Sequence, residues 1–227
     1  MLADEMEFIS NFTAISKAYC RMAKEKDACR ACSQFNDYKR IVHSQGNAKN
    51  PMFMFVGECP GEQEVLRGVP FVGSAGQLLR AELRKNGFHR GNSILTNVMP
   101  CRPKDNQFPD DFKVATACYR RWLREEIRIL GPKFIIALGG RALRAMTGEK
   151  GITQFRGRWR FVIPLQAWIF PTWHPSYVLR QEEAIVEFRS DIRRVASEWH
   201  LRYADRRLHM GDGFGTGSPF DQELQDD

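Results

Sequence analysis

The stretch Val56–Leu79, VGECPGEQEVLRGVPFVGSAGQLL, sets five glycines and two prolines between an apolar run that ends at Val56 and an amphipathic segment that begins at Ala75. A plain strand-to-helix turn needs only a few residues, so this one is long enough to be built around a ligand. Working outward, Phe53–Val56 is apolar at every position, and similar runs recur at Ile94–Val98, Phe134–Leu138 and Trp168–Pro171, with a further candidate strand at Arg160–Pro164. Between them lie the amphipathic stretches Ala75–Asn86, Asp110–Leu130, Gly140–Met146 and Glu182–Tyr203. Strands apolar on both faces and separated by helices predict a sheet covered on both sides. The expected fold is a three-layer α/β/α sandwich around a central, mainly parallel four-stranded sheet. Ligands of such sheets bind outside the carboxyl ends of the strands, which singles out the loops after Val56, Val98, Leu138 and Pro171.

The 227 residues suit one well-buried core rather than two. Phe8, Phe12, Ile15, Ala18 and Met22 fall at helical spacing, so residues 1–28 are expected to form a helical segment packed on the core domain, 29–207. Residues 208–227 are Gly-rich and acidic and are expected to be disordered. No apolar run approaches the roughly 20 residues of a membrane span, and the opening MLADEMEFIS carries acids where a signal peptide would be basic. A cytoplasmic monomer with no membrane partner is expected. The formal charge is +7, and the last 20 residues hold five acids and no Lys or Arg, which leaves 34 bases against 22 acids, or +12, upstream. A basic body fits a polyanion partner, although a merely solvated basic surface has the same composition.

Six cysteines occur, at 20, 29, 32, 59, 101 and 118. Cys29 and Cys32 form a C-x2-C pair, while Cys101 and Cys118 bracket a loop and the helix after it. Four such thiols suit either Zn2+ or an iron-sulfur cluster, and spacing alone does not choose between them. Disulfides are disfavoured in a cytosolic chain.

Three motifs lie at three strand ends: GECPG with GVPFVG after the first, LTNVMPCRP at the second and PTWHPSYVLR at a later one. With the four cysteines, in this order and spacing, they resemble the family 4 (iron-sulfur) uracil-DNA glycosylases, over about Cys29 to Asp191. The resemblance implies a DNA glycosylase of base excision repair, acting on uracil-containing DNA and associated with the nucleoid. It implies a [4Fe-4S] cluster on Cys29, Cys32, Cys101 and Cys118, with structural zinc as the alternative. Cys20 is then expected to be an apolar filler of the first helix.

Residue by residue, Phe71 matches the aromatic on which a flipped base stacks. Asn97 matches the uracil-reading amide, whose donor and acceptor fit N3–H and O4 and reject cytosine. His174 matches the catalytic donor to O2, where charge develops as the base leaves. Glu58, with Gly57 and Cys59 beside it in the base pocket, is the acid available to orient water or stabilise a cationic sugar. Here the chain departs from the pattern: Cys59 stands where one branch of the superfamily has a water-positioning Asp and family 4 usually has Ala. Gly61 stands where that other branch has an aromatic that blocks the thymine methyl. FRGRWR, with Arg156, Arg158 and Arg160, and SYVLR, with Ser176, Tyr177 and Arg180, are the expected DNA grip, and Tyr177, Val178 or Leu179 the wedge that fills the gap left by the base. Two alternatives are a catalytically silent DNA-binding homologue and a relative that becomes covalently trapped on the abasic site.

Overall fold

The computed structural model describes residues 2–32, 41–104, 108 and 112–209. The elements run α1 (Leu2–Asp27), β1 (Gln45–Gly46), β2 (Phe53–Gly57), α2 (Glu62–Arg67), α3 (Ser74–Lys85) and β3 (Ser93–Asn97). They continue with α4 (Lys113–Cys118), α5 (Arg124–Leu130), β4 (Phe134–Leu138), α6 (Gly140–Thr147), α7 (Ile152–Phe155), β5 (Arg160–Val162), β6 (Ala167–Thr172), α8 (Pro175–Val178) and α9 (Ala184–His209). Among the described residues no helix is long and apolar enough to cross a membrane.

The sheet has the order β1-β3-β2-β4-β6-β5. Its central four strands, β3, β2, β4 and β6, are parallel as expected. It is nevertheless six-stranded rather than four-stranded, because β1 pairs antiparallel with β3 and β5 antiparallel with β6. The two-residue β1 carries no apolar run to announce it. β5 and β6 form a hairpin closed by a 3-10 turn at Ile163–Leu165, with Gln166 in the left-handed region.

Alternation along the central strands divides the core. Met54, Val56, Ile94, Ile135 and Ala137 face α1, α4, α5 and α6, whereas Phe53, Phe55, Leu95, Phe134 and Ile136 face α3, α8 and α9. Both faces are therefore apolar and covered, which is the three-layer sandwich. The chain leaves β2 for β3 on one side and returns to β4 on the other, so the crevice between the ends of β2 and β4 is the topological switch point.

The helix expected from Asp110 is described from Lys113, and it runs on to Leu130 through one π turn, Tyr119–Leu123, directly after Cys118. α2 lies inside the glycine-rich stretch and was not expected. Its C-terminal residue is followed by Gly68 at φ 69, a left-handed cap that favours glycine. Of α1, residues Ile15, Tyr19, Met22 and Lys26 face inward, one or two turns apart. Cys20 falls between them on the outer face and is exposed, so it is not the apolar filler expected. Phe8 and Phe12 lie among residues whose side chains are outside those described. α9 reaches His209, and the rest of the expected tail is also outside the described residues.

α1 is tied to the sheet by a polar cluster in the interior. Lys26 Nζ donates to Glu126 Oε2 at 3.1 Å, both side chains being almost fully buried. Ser44 and Thr96 hydroxyls join the same carboxylate, and Tyr19 Oη donates to it at 3.4 Å. Burial, with the Glu126 charge, pushes the Tyr19 phenol well above its ordinary range, so it remains a donor.

Candidate active site

The ends of the four parallel strands converge on a cavity of about 780 Å3. Glu58 and Cys59 follow β2, Asn97 ends β3, Gly139–Arg141 follow β4, and Trp173 and His174 follow β6, all lining it together with Phe71, Ser176, Tyr177 and Arg180. The structure thus brings together Glu58, Cys59, Phe71, Asn97 and His174, which lie up to 116 positions apart in the chain.

Phe71 is held in an unusual conformation. Its φ is +56°, a left-handed value that costs a residue with a Cβ of the order of 1–3 kcal/mol. Three contacts hold it there. Arg80 donates from Nε to the Phe71 carbonyl at 2.8 Å and from Nη2 to that of Pro70 at 2.7 Å. The buried Glu64 carboxylate accepts the Val72 and Gly73 N–H groups at 2.8 and 2.7 Å. Gly76 lies so close that a Cβ there would stand 2.0 Å from the Phe71 carbonyl carbon. The ring itself is pressed against the end of β2: a Cβ on Gly57 would meet Phe71 Cζ at 2.6 Å and Asn97 Oδ1 at 2.5 Å. The glycines that the ring requires are therefore Gly57 and Gly76. Gly68 caps α2, and the Gly73 N–H serves Glu64. Gly61 is also explained locally, since a Cβ there would stand 2.7 Å from Glu64 Oε2. An aromatic at 61 would collide with the carboxylate that shapes the Phe71 loop.

His174 caps α8. Its Nδ1 accepts the Ser176 N–H at 3.1 Å and lies 2.7 Å from the Ser176 hydroxyl. A backbone N–H can only donate, so Nδ1 carries no proton and the neutral ring holds its hydrogen on Nε2. Burial is the main cause that lowers the His174 pKa, opposed by the Glu58 charge and assisted by Arg180 and Arg141. Behind the ring, Trp173 Nε1 donates to Glu187 at 2.7 Å, and Thr172 Oγ1 donates to the buried Asp191 at 2.7 Å, which fixes the strand end to α9.

Glu58 and His174 are separated by Gly139, whose φ is +92°. A Cβ at that position would meet His174 Cβ at 2.9 Å and Glu58 Oε1 at 3.1 Å. The other carboxylate oxygen of Glu58 accepts from Arg141 Nη1 at 2.9 Å. Burial and the adjacent Glu58 charge push the Cys59 thiol up to about 12. Cys59 is therefore a neutral wall of the cavity at physiological pH and no base.

Ser176, Tyr177 and Arg180 stand at the rim, with Tyr177 stacked on Trp173 at 4.8 Å between ring centroids. Leu179 is 48% exposed, but Val178 is buried in the core and is withdrawn as a wedge. Arg158 is exposed at the turn before β5, outside the cavity lining. Arg156 is turned inward, donating to Glu187 and Asp191 at 3.0 Å each and lying 5.5 Å from the Trp173 ring. Its guanidinium is committed to these acids of α9, so the expectation of a phosphate contact gives way to a buttress of the His174 strand end. Arg160 pairs with Glu149 at 2.6 Å. Glu64, Arg80, Gly139 and Arg141 were not singled out from the sequence. The loop after Leu138 was, and its GGR, at the end of an apolar strand, is the local signal for Gly139 and Arg141.

Cys29, Cys32, Cys101 and Cys118 line a second, largely apolar cavity of about 320 Å3, with Met99, Pro100 and Trp122 among its walls. None of the six cysteines forms a disulfide. Among the described residues no three His, Cys, Asp or Glu side chains converge tightly enough to hold one metal ion. A tetrahedral zinc site would need its sulfurs about 3.8 Å apart, given a Zn–S bond of about 2.3 Å. Four thiols on one apolar cavity are a donor set that an iron-sulfur cluster or a structural zinc ion would use.

A model of the uracil DNA glycosylase superfamily matches residues 43–199. The type-4 uracil-DNA glycosylase of Thermotoga maritima is 37% identical over 177 residues, 75% of this chain and 84% of that protein. The type-4 uracil-DNA glycosylase of Pyrobaculum aerophilum is 36% identical over 174 residues, 72% of this chain and 86% of that protein. That of Sulfurisphaera tokodaii is 34% identical over 168 residues, covering 70% and 74%.

Proposed function

The chain belongs to the type-4 uracil-DNA glycosylases of the uracil DNA glycosylase superfamily, and from that premise we propose that it removes uracil from DNA in base excision repair, hydrolysing the N-glycosidic bond and leaving an abasic site. The observation that carries the reading is a neutral His174, its Nδ1 engaged by the Ser176 N–H, across Gly139 from Glu58 in the cavity that also contains Phe71 and Asn97.

The extruded base stacks on Phe71, and the Asn97 amide pairs with its N3–H and O4. As the bond to the sugar breaks, uracil leaves with its negative charge largely on O2 and the sugar becomes cationic. The His174 Nε2–H donates to O2, an interaction strongest where that charge develops. The Glu58 carboxylate stabilises the sugar cation and orients the attacking water. Cys59, protonated, takes no part in proton transfer. Arg158 and Arg180 meet phosphates, Ser176 serves chiefly to orient His174, and Tyr177 and Leu179 at the rim fill the gap in the stack.

Cys29, Cys32, Cys101 and Cys118 hold a [4Fe-4S] cluster, supported by their common apolar cavity. When bound, the cluster supplies a structural cross-link between the end of α1 and the segment around α4, with no part in bond cleavage. The protein acts as a cytoplasmic, nucleoid-associated monomer.

Incubation with a uracil-containing oligonucleotide followed by alkali tests the activity. Cleavage at the uracil position is expected in the wild type and is lost on Asn97→Ala or His174→Ala. Binding without breakage would identify a silent homologue, and an adduct that survives denaturation a covalently trapped one.

A further inference from the structure

The strongest feature that the reaction scheme leaves unused is Arg141, in the first turn of α6 at the switch point between β2 and β4. Its Nη1 donates to Glu58 Oε2 at 2.9 Å, although the two residues are 83 positions apart. The guanidinium lies 4.5 Å from the centroid of the buried Phe108 ring, which holds its plane. Half of the side chain is exposed, at 51%, while Glu58 is at 19%. One end of the carboxylate is thus clamped, and the other, Oε1, faces the Gly139 turn and His174.

We propose that Arg141 is a positioning residue of the hydrolysis: it clamps Glu58 through Oε2 so that Oε1 is presented towards the sugar and water, and its cation balances Glu58 beside His174. The inference rests on the glycosylase reading given above. A carboxylate free to rotate would spread its charge over several rotamers, and misplacement of this kind is worth roughly 10- to 100-fold in rate. Three charged groups face His174: Glu58 from the loop after β2, Arg180 after α8, and Arg141 from α6. Glu58 favours the imidazolium, whereas Arg180 and Arg141 favour the neutral ring. Removing Arg141 removes a cation that disfavours protonation, so the His174 pKa rises. Protonation would put a hydrogen on Nδ1 against the Ser176 N–H that orients the ring, so activity is lost as pH falls through that pKa, and a raised pKa moves the acidic limb to higher pH.

The test combines single-turnover uracil release across pH with an NMR titration of His174, for wild type, Arg141→Gln, Arg141→Lys, Glu58→Gln and the double variant Glu58→Gln/Arg141→Gln. Arg141→Gln is expected to slow release roughly 10- to 100-fold and to move both the acidic limb and the His174 titration to higher pH. Arg141→Lys should restore the pH profile, because the charge is back, but only part of the rate, because the directed N–H is not. The double variant should be no slower than Glu58→Gln alone, since Arg141 acts through Glu58. An unchanged rate and titration in Arg141→Gln would overturn the proposal. So would an equal loss in the Glu58→Gln background, or a loss confined to DNA affinity with a shallower salt dependence, which would make Arg141 a phosphate contact alone. If the wild type released no uracil while Arg141→Gln still raised the His174 titration, the glycosylase reading would fail and the electrostatic role of Arg141 would stand.

Discussion

At Gly139 a single hydrogen in place of a side chain lets two functional groups share one wall. Its φ of +92° is open to glycine and strained for any other residue, and a methyl group would press on both His174 Cβ and Glu58 Oε1. Gly139→Ala is expected to cost about 2 kcal/mol or more in urea denaturation. It should slow single-turnover uracil release by a larger factor than it weakens binding of uracil DNA, because it parts His174 from Glu58 without touching the rim. Gly148, also at positive φ but with open space around the position of a Cβ, is the control: its alanine variant should show the backbone cost and leave the rate unchanged. Phe71 is marked as the candidate stacking residue by its neighbours in sequence, whereas nothing local marks the residues that hold it, Glu64 and Arg80. Their role depends on where α2 and α3 return the chain.

At the level of elements, the junction of α1, α5 and β3 is bound by charge as well as by packing. Lys26 and Glu126 are 3% and 1% exposed, and the Ser44 and Thr96 hydroxyls complete the shell of the carboxylate. Removing one partner of such a pair leaves an uncompensated charge in the interior, at a cost of about 3–5 kcal/mol. Lys26→Met should therefore lower stability by that amount in chemical denaturation. The double variant Lys26→Met/Glu126→Gln should recover most of the loss, since the amide oxygen still accepts from the hydroxyls. No recovery would mean that the loss does not come from the charge left on Glu126. Thr96 precedes Asn97 on β3, with its hydroxyl directed to this cluster while Asn97 lines the cavity. One strand end thus anchors α1 and α5 on one side and presents the Asn97 amide to the cavity on the other.

For the molecule as a whole, the second cavity joins segments that are otherwise remote: the end of α1 with Cys29 and Cys32, the loop after β3 with Cys101, and α4 with Cys118. A cluster held there should give a brown protein with about four irons per chain. Stoichiometric zinc without colour would show the assignment wrong. Cys118→Ser should release the iron and lower the thermal midpoint by roughly 5–10 °C, as a loss of about 2–3 kcal/mol does in a domain of this size. Uracil release per folded molecule should fall far less, because the cysteine cavity and the active-site cavity have no lining residue in common.

The layered α/β architecture and the family are written in local patterns, and so are legible without coordinates: apolar runs of strand length, amphipathic helices, and short motifs at the ends of strands. Cys29, Cys32, Phe71, Asn97 and His174 each stand in a short motif that marks them as candidates from their immediate neighbours. The direction in which the cations point, by contrast, depends on the folded chain. Arg156, in a basic run, turned inward to Glu187 and Asp191, while Arg141, in an ordinary-looking helix start, reached Glu58 from 83 positions away. A charged side chain takes its partner from whatever the fold brings within about 4 Å. That is set by the sheet order and the return of the chain across β2, which no local pattern records.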